Sequence, residues 1–273
     1  MGEPEREGTT TIAERRFAWH TLGAGPPVLL VQGYGGSADD WAPDFLEALG
    51  RSFTVLAPDN RGLGASDLGD ASAVTIDSMA ADLEALLDHA SIERLPVVGF
   101  SMGGFIAQAL AARAPDRVES LALISTDAGG PDAIRADPGD WGRLVDHSGT
   151  PRERASRMIS VVFPPDVAPA FDAEFGELAA AAQAALDPAA LAAEERAMDQ
   201  WWGAPPGAGA PSSTPVVIVA GSEDIVIPPG NSELLAQRFP DARVELLAGA
   251  GHAVPAQRAE DVAGLIASAF QRG

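Results

Sequence analysis

The sequence predicts an α/β fold: a mostly parallel sheet flanked by helices, with a helical insertion late in the sheet. Two observations predict it. Short apolar, strand-like runs alternate with helix-like segments, and that alternation stops near residue 127 and resumes near residue 212. A length of 273 residues with 46% hydrophobic composition suits one large domain that carries an insertion.

The start, MGEPEREGTTT, is polar and acidic where a signal peptide has a basic start and an apolar core. No stretch approaches the roughly 18 uninterrupted apolar residues of a membrane span. A soluble cytoplasmic protein is expected. After a strand-like segment around His20 come four apolar runs: PPVLLVQ at 26–32, SFTVLA at 52–57, LPVVGF at 95–100 and RVESLALIS at 117–125. Near-continuous apolar strands fit a parallel sheet buried on both faces. Between the second and third runs, Ile76, Met79, Leu83, Leu86 and Leu87 recur at the spacing of one helix face, as a crossover helix requires. MGGFIAQALAARA follows the third run and places Phe105, Ile106, Ala109 and Leu110 on one buried face.

From 127 to about 211 the chain alternates alanine-rich helical stretches with proline- and glycine-rich joints. Residues 1–126 and 212–273 therefore form the core, and 127–211 a helical cap or lid. APPGAGAPSST at 204–214 reads as the linker back to the sheet. TPVVIVAG at 214–221, a helix at 230–239, the short strand RVELLAG and a closing helix at about 255–271 complete the pattern.

Charge and composition exclude several functions. A formal charge of −21 and a pI near 4.3 repel nucleic acid and anionic membranes, which leaves a small-molecule or neutral substrate as the expected partner. All 18 basic residues are arginine, so Schiff-base chemistry and a lysine-dependent phosphate loop are excluded. With no cysteine, disulfides, thiol nucleophiles and cysteine-ligated metals are excluded together. No metal site and no cofactor are expected.

Gly99-Phe100-Ser101-Met102-Gly103 is a G-x-S-x-G pentapeptide, informative only when a strand precedes it and a helix follows. Both conditions hold. A turn sharp enough to expose the serine hydroxyl strains its backbone and leaves no room for side chains at 99 and 103. Ser101 would stand at a helix N-terminus, where the Met102 amide is free to bind a developing negative charge.

A serine needs a base, normally a histidine oriented by a carboxylate. His20 lies in the N-terminal strand, His89 ends a helix facing away from the strand C-termini, and His147 is in the insertion. His252 sits in LLAGAGHAVP, directly after the last strand. Asp224, after PVVIVAG, is the favoured carboxylate. Glu223 beside it and Asp127 after LALIS remain competitors. The order Ser101, Asp224, His252 puts all three at the carboxyl edge of one sheet. The loop GYGGS after VLLVQ offers the Tyr34 amide as a second oxyanion donor beside that of Met102.

With these motifs the chain resembles the α/β-hydrolase superfamily over nearly its whole length. DNRGLGAS at 59–66 is similar to the D-x-R-G-x-G-x-S segment after the fourth strand in that family. APDRVESLALIS at 114–125 is similar to the stretch after its nucleophile helix. The resemblance implies a Ser101, Asp224, His252 triad, Tyr34 and Met102 as oxyanion donors, and a cap over the pocket. Gln32-Gly33 departs from the His-Gly that many members carry before the oxyanion loop.

Serine at the elbow argues against the epoxide hydrolases and haloalkane dehalogenases of the family, which need aspartate there. Met102 argues against its peptidases, which usually carry tryptophan. GFSMGGFIAQ is most similar to carboxylesterases, enol-lactonases and cofactor-free perhydrolases, so hydrolysis of a small ester or lactone is expected. A carbon-carbon bond hydrolase, a non-hydrolytic lyase or cyclase, and a ligand-binding receptor stay open. Trp141, Met158, Phe163, Trp201 and Trp202 are candidates for the lining of an apolar pocket, with packing as their competing role.

Overall fold

Strands and helices alternate around a single eight-stranded sheet in the order β1-β2-β4-β3-β5-β6-β7-β8. The structure is a computed structural model and describes residues 6–203 and 214–271; the linker reading at 204–213 and the chain ends lie outside them. β1 (Arg6–Ile12) and β2 (Arg15–Gly23) form a hairpin that joins the sheet antiparallel to β4 (Thr54–Pro58). β3 (Pro27–Val31), β4, β5 (Leu95–Phe100), β6 (Val118–Ile124), β7 (Val216–Gly221) and β8 (Arg243–Leu247) run parallel. Their carboxyl ends therefore share one edge.

The apolar runs sort onto the two faces with period two. Leu29, Val31, Val97, Leu121, Leu123 and Ile218 pack on α2 (Ile76–His89) and α3 (Met102–Arg113). Val28, Leu30, Val98, Ala122, Val217 and Val219 pack on α1 (Pro43–Gly50) and the C-terminal helix α10 (Ala259–Phe270). The crossover from β3 to β4 passes through α1 on one face and that from β4 to β5 through α2 on the other. The crevice at the ends of β3 and β5 is thus a topological switch point.

The expected insertion is four helices between β6 and β7: α4 (Pro138–Leu144), α5 (Pro151–Val162), α6 (Ala168–Ala185) and α7 (Pro188–Gly203). Thr150 and Glu153 form a capping box that starts α5. Arg152 grips Asp172 with both ends of its guanidinium, at 2.8 and 3.0 Å, and so pins α5 to α6.

One element departs from the sequence reading, and one, the β1–β2 hairpin, lies beyond it. The β1–β2 turn is carried by Ala13 and Glu14, both with positive φ, so it lacks the Asn-Gly signature that marks a two-residue hairpin. The helix expected at 230–239 is present as α8 (Asn231–Arg238). The single closing helix is two, α9 (Val254–Gln257) and α10, because Arg258 leaves helical geometry at φ −136° and ψ 46°. No helix among the described residues is long and apolar enough to cross a membrane.

The hairpin and the loop after β4 are joined to α2 through one carboxylate. Arg15 Nη2 donates to Asp82 Oδ1 at 2.7 Å, and Arg61 donates to both oxygens. All three side chains are almost buried. Asp82→Asn leaves two buried guanidiniums without a counter-charge and is expected to cost about 3–5 kcal/mol in urea unfolding. A cost below about 1 kcal/mol would show that the pair is not holding these elements together.

Candidate active site

Ser101 joins β5 to α3 with φ 54° and ψ −124°, a conformation that side chains rarely adopt. Its flanking glycines are required by close approach. A Cβ at Gly99 would fall 2.4 Å from the Gly103 carbonyl oxygen, and one at Gly103 would fall 2.1 Å from that of Val31. Two bonds fix the turn across the sheet: the Ser101 amide donates to the Ile124 carbonyl at 2.9 Å, and Thr126 Oγ1 donates to the Ser101 carbonyl at 2.8 Å.

The two residues named after later strands meet this serine. His252 Nε2 lies 3.0 Å from Ser101 Oγ, and His252 Nδ1 lies 2.9 Å from Asp224 Oδ2. The other carboxylate oxygen accepts from the amides of Val226 and Ile227, both at 2.9 Å. These donors fix the carboxylate. With Nδ1–H donating to Asp224, Nε2 is the acceptor for the serine hydroxyl. Gly221, at the end of β7, admits the histidine loop: a Cβ there would fall 2.2 Å from the carbonyls of both Ala250 and Gly251. Glu223 is exposed, and Asp127 is engaged elsewhere.

The loop after β3 lies against the nucleophile. A Cβ on Gly33 would stand 3.0 Å from Ser101 Cβ. The Gly36 amide donates to the Gly33 carbonyl at 3.2 Å and closes a turn with Tyr34 and Gly35 at its centre. Gln32 turns its Oε1 onto the Gly33 amide at 2.9 Å, so the residue that departs from His-Gly supports the loop here. Met102 occupies the first position of α3, where the helix supplies no acceptor for its amide. The DNRGLGAS segment braces these loops. Asn60 Nδ2 donates to the Gln32 carbonyl at 3.1 Å, and Asp59 accepts from the amides of Ala38 and Ala65, both at 2.8 Å.

The inserted helices touch both loops. The Val162 carbonyl, at the end of α5, accepts from the Ala253 amide at 3.0 Å, and Phe163 follows it against Gly251. Met158 accepts a weak bond from Gln183. The tryptophans are tied differently. Trp202 and Trp201 donate their indole N–H groups to Asp127 at 2.8 and 3.1 Å, Trp201 stacks on Phe105, and Trp141 meets Trp202 edge-on. Burial pushes the Asp127 carboxyl up, opposed by donation from Trp202, Gly129 and Trp201.

Two residues that the sequence reading passed over lie here. Glu194 Oε2 accepts from the Gly35 amide at 2.8 Å, and Glu195 Oε1 accepts from the Tyr34 hydroxyl at 2.7 Å. His147 Nε2 lies 2.8 Å from that same Glu195 oxygen. A signal existed: Ala190, Glu194, Ala197 and Met198 share one face of α7, so Glu194 is a charge in an apolar stripe. It is fully buried, and its Oε1 has no hydrogen-bond partner among the described residues. Burial pushes its carboxyl from 4.5 up to about 8; the Gly35 amide acts against this, and Glu195 adds a further push.

Between these two values the folded protein holds a proton that the unfolded chain releases, so stability falls as pH rises through that window. Glu194→Gln is neutral throughout and removes this loss. Its stability relative to wild type is expected to rise between pH 5 and pH 9, on the order of a few kcal/mol, in urea unfolding at both ends. A difference that does not change with pH would mean that Glu194 is ionised throughout.

A model of the family described as alpha/beta hydrolase fold matches residues 26–259. The Mycobacterium tuberculosis protein BpoC, named as a non-heme bromoperoxidase, is 39% identical over 111 residues, 40% of this chain and 42% of that protein. The chain thus spans about two fifths of the length of the curated relatives it matches. Among solved structures, the enol-lactonase from Burkholderia xenovorans LB400 is similar at TM-score 0.80 and 25% identity, over 97% of this chain and 100% of that one. A thermophilic esterase from Thermogutta terrifontis is similar at TM-score 0.76 and 26% identity, over 98% of each chain. The family match takes in the sheet from β3 to β8, the serine turn and the loops that face it, and the chain belongs to the α/β-hydrolase fold family.

Proposed function

We propose that this protein is a serine hydrolase that cleaves a small, neutral carboxylic ester or lactone through an acyl-enzyme on Ser101. The observation that carries the proposal is the unbroken chain from Ser101 Oγ to His252 Nε2 at 3.0 Å and from His252 Nδ1 to Asp224 at 2.9 Å. Similarity along the full length to an enol-lactonase and an esterase supports the substrate class.

In this reading Ser101 Oγ attacks the ester carbonyl while His252 Nε2 takes its proton. The carbonyl oxygen gains the charge and is held by the amides of Met102 and Tyr34; each such donor is worth about 3 kcal/mol in the transition state. As the intermediate collapses, the imidazolium returns the proton to the departing alkoxide. Water then gives a proton to His252, attacks the acyl-enzyme, and the acid leaves as Ser101 recovers its hydrogen. Asp224 orients the imidazole and balances its charge in both halves. Helices α4 to α7 of the insertion act as a cap over this site. Phe163 and Met158 on its α5 side border the acyl group, whereas Trp141, Trp201 and Trp202 form the wall that Asp127 anchors.

The match to BpoC favours a second reading of the same acyl-enzyme, perhydrolysis, in which hydrogen peroxide replaces water and a peracid leaves. The first half-reaction is shared.

A fluorophosphonate is expected to attach to Ser101 in the folded protein and to fail on Ser101→Ala. On a panel of p-nitrophenyl esters and lactones, kcat is expected to fall by about 10^4-fold or more in Ser101→Ala and His252→Ala, and by about 10^4-fold in Asp224→Asn. Absence of label on Ser101 would sink the acyl-transfer reading. Rapid labelling with no turnover of any panel member would sink the ester and lactone assignment. Peracid formed from peroxide faster than acid from water would select the second reading.

A further inference from the structure

The Tyr34 amide can stabilise an oxyanion only while the turn at 33–36 stays seated beside Ser101. A turn of this kind has a weak point. Its one internal bond, from the Gly36 amide to the Gly33 carbonyl, leaves the N–H of the central peptide, which links Tyr34 to Gly35, without an acceptor inside the turn, and Gly35 has φ +66°. In this protein that peptide is gripped from outside the core. Its N–H donates to Glu194 Oε2 at 2.8 Å, on a carboxyl that is fully buried. The preceding side chain is gripped as well: the Tyr34 hydroxyl donates to Glu195 Oε1 at 2.7 Å, and His147 Nε2 lies 2.8 Å from the same atom. Adjacent residues of one inserted helix thus hold adjacent residues of the loop. Packing reinforces the fit, since a Cβ on Gly35 would come within 3.3 Å of Leu191 on the same helix.

We propose that Glu194 is a positioning residue for the oxyanion loop, and that with Glu195 it forms a clasp through which the seating of α7 sets the aim of the Tyr34 amide. The proposal rests on the acyl-transfer reading of Ser101 for its catalytic consequence, but not for the clasp itself. Glu194 touches no reacting atom. Its effect passes through the Gly35 peptide, so it acts on the transition state, where charge has reached the carbonyl oxygen, and little on substrate binding. Position 194 needs an acceptor held at this depth. Glutamine supplies one and alanine does not.

The test uses the full-length protein with Glu194→Ala, Glu194→Gln and Tyr34→Phe. Hydrogen exchange of the 33–36 amides is read by mass spectrometry, and kcat and KM are read on the best p-nitrophenyl ester. In Glu194→Ala, exchange of the loop is expected to quicken about tenfold, as for loss of one buried hydrogen bond, with β5 and α3 unchanged. Its kcat is expected to fall about 10- to 100-fold, less than for loss of an oxyanion donor itself, with KM within about threefold. Glu194→Gln is expected to restore the protection and most of kcat. Tyr34→Phe keeps the amide and loses only the second grip, so it should show a smaller shift of both readouts in the same direction.

Wild-type loop exchange and kcat in Glu194→Ala would overturn the proposal. So would exchange that rises equally in β5 and α3, which is the pattern of general destabilisation. Should Glu194→Ala fail to fold, Tyr34→Phe decides by the same two readouts. Failure of wild-type Ser101 to take a fluorophosphonate overturns the acyl-transfer reading alone, because the exchange rates test the clasp without turnover.

Discussion

The passage of the chain from β5 into α3 constrains everything else in the site. At that point two backbones approach so closely that a single Cβ at 103 would stand 2.1 Å from the Val31 carbonyl oxygen, and Ser101 is held at positive φ. The strain stays because neighbours on both sides fix it: Ile124 accepts from the Ser101 amide and Thr126 binds its carbonyl. One consequence is a hydroxyl lifted above the sheet edge. Another is that the end of β3 lies directly beside the start of α3, which brings the loop carrying Tyr34 to the serine. Nucleophile and oxyanion loop therefore share one packing contact, and a change that loosens it disturbs both.

The loops around this point have few bonds of their own and are braced by residues that do no chemistry. Asp59, Asn60, Arg61 and Ser66 each reach a different element: the loop at Ala38, the Gln32 carbonyl, Asp82 on α2, and the Ala18 amide on β2. Gly64 belongs to the same design, since a Cβ there would stand 2.2 Å from Asp59 Oδ2. Burial raises the Asp59 carboxyl, and the amides of Ala38 and Ala65 oppose that push. The segment reads as a motif because a short run of chain must reach four ways at once, and few sequences manage it.

Legibility in the sequence follows the range of the interaction. Strands buried on both faces announce themselves as apolar runs, and β3 to β7 were readable for that reason. The serine turn was readable because close backbone approach demands glycine at fixed offsets. The β1–β2 hairpin was readable only in part: the segment around His20 reads as strand-like, but β1 is polar and the turn uses Ala13 and Glu14 instead of glycine. Arg258, which divides the last helix, is an ordinary helix former and gives no sign of a break. The clasp at Glu194 depends on which face of α7 meets which loop. A sequence indicates that an acid lies in an apolar stripe but not what donor waits opposite.

Four carboxyl groups near the loops are buried, and the donors each one receives separate their roles. Asp224 takes two amides on one oxygen and the imidazole on the other, so its second oxygen is committed to orienting His252. Asp127 follows a strand end just as Asp224 does and competes for the same role on sequence grounds. Two indole N–H groups and the Gly129 amide occupy both its oxygens, leaving none for an imidazole. It serves instead to anchor the returning end of the insertion where the chain leaves β6. Asp59 takes one amide on each oxygen and joins loop to loop. Glu194 receives a single amide and keeps an oxygen with no partner among the described residues, which is why burial outweighs donation there and its proton stays on. A neutral acid is the form suited to that place, because a full negative charge beside the oxyanion loop would oppose the charge that the loop exists to stabilise.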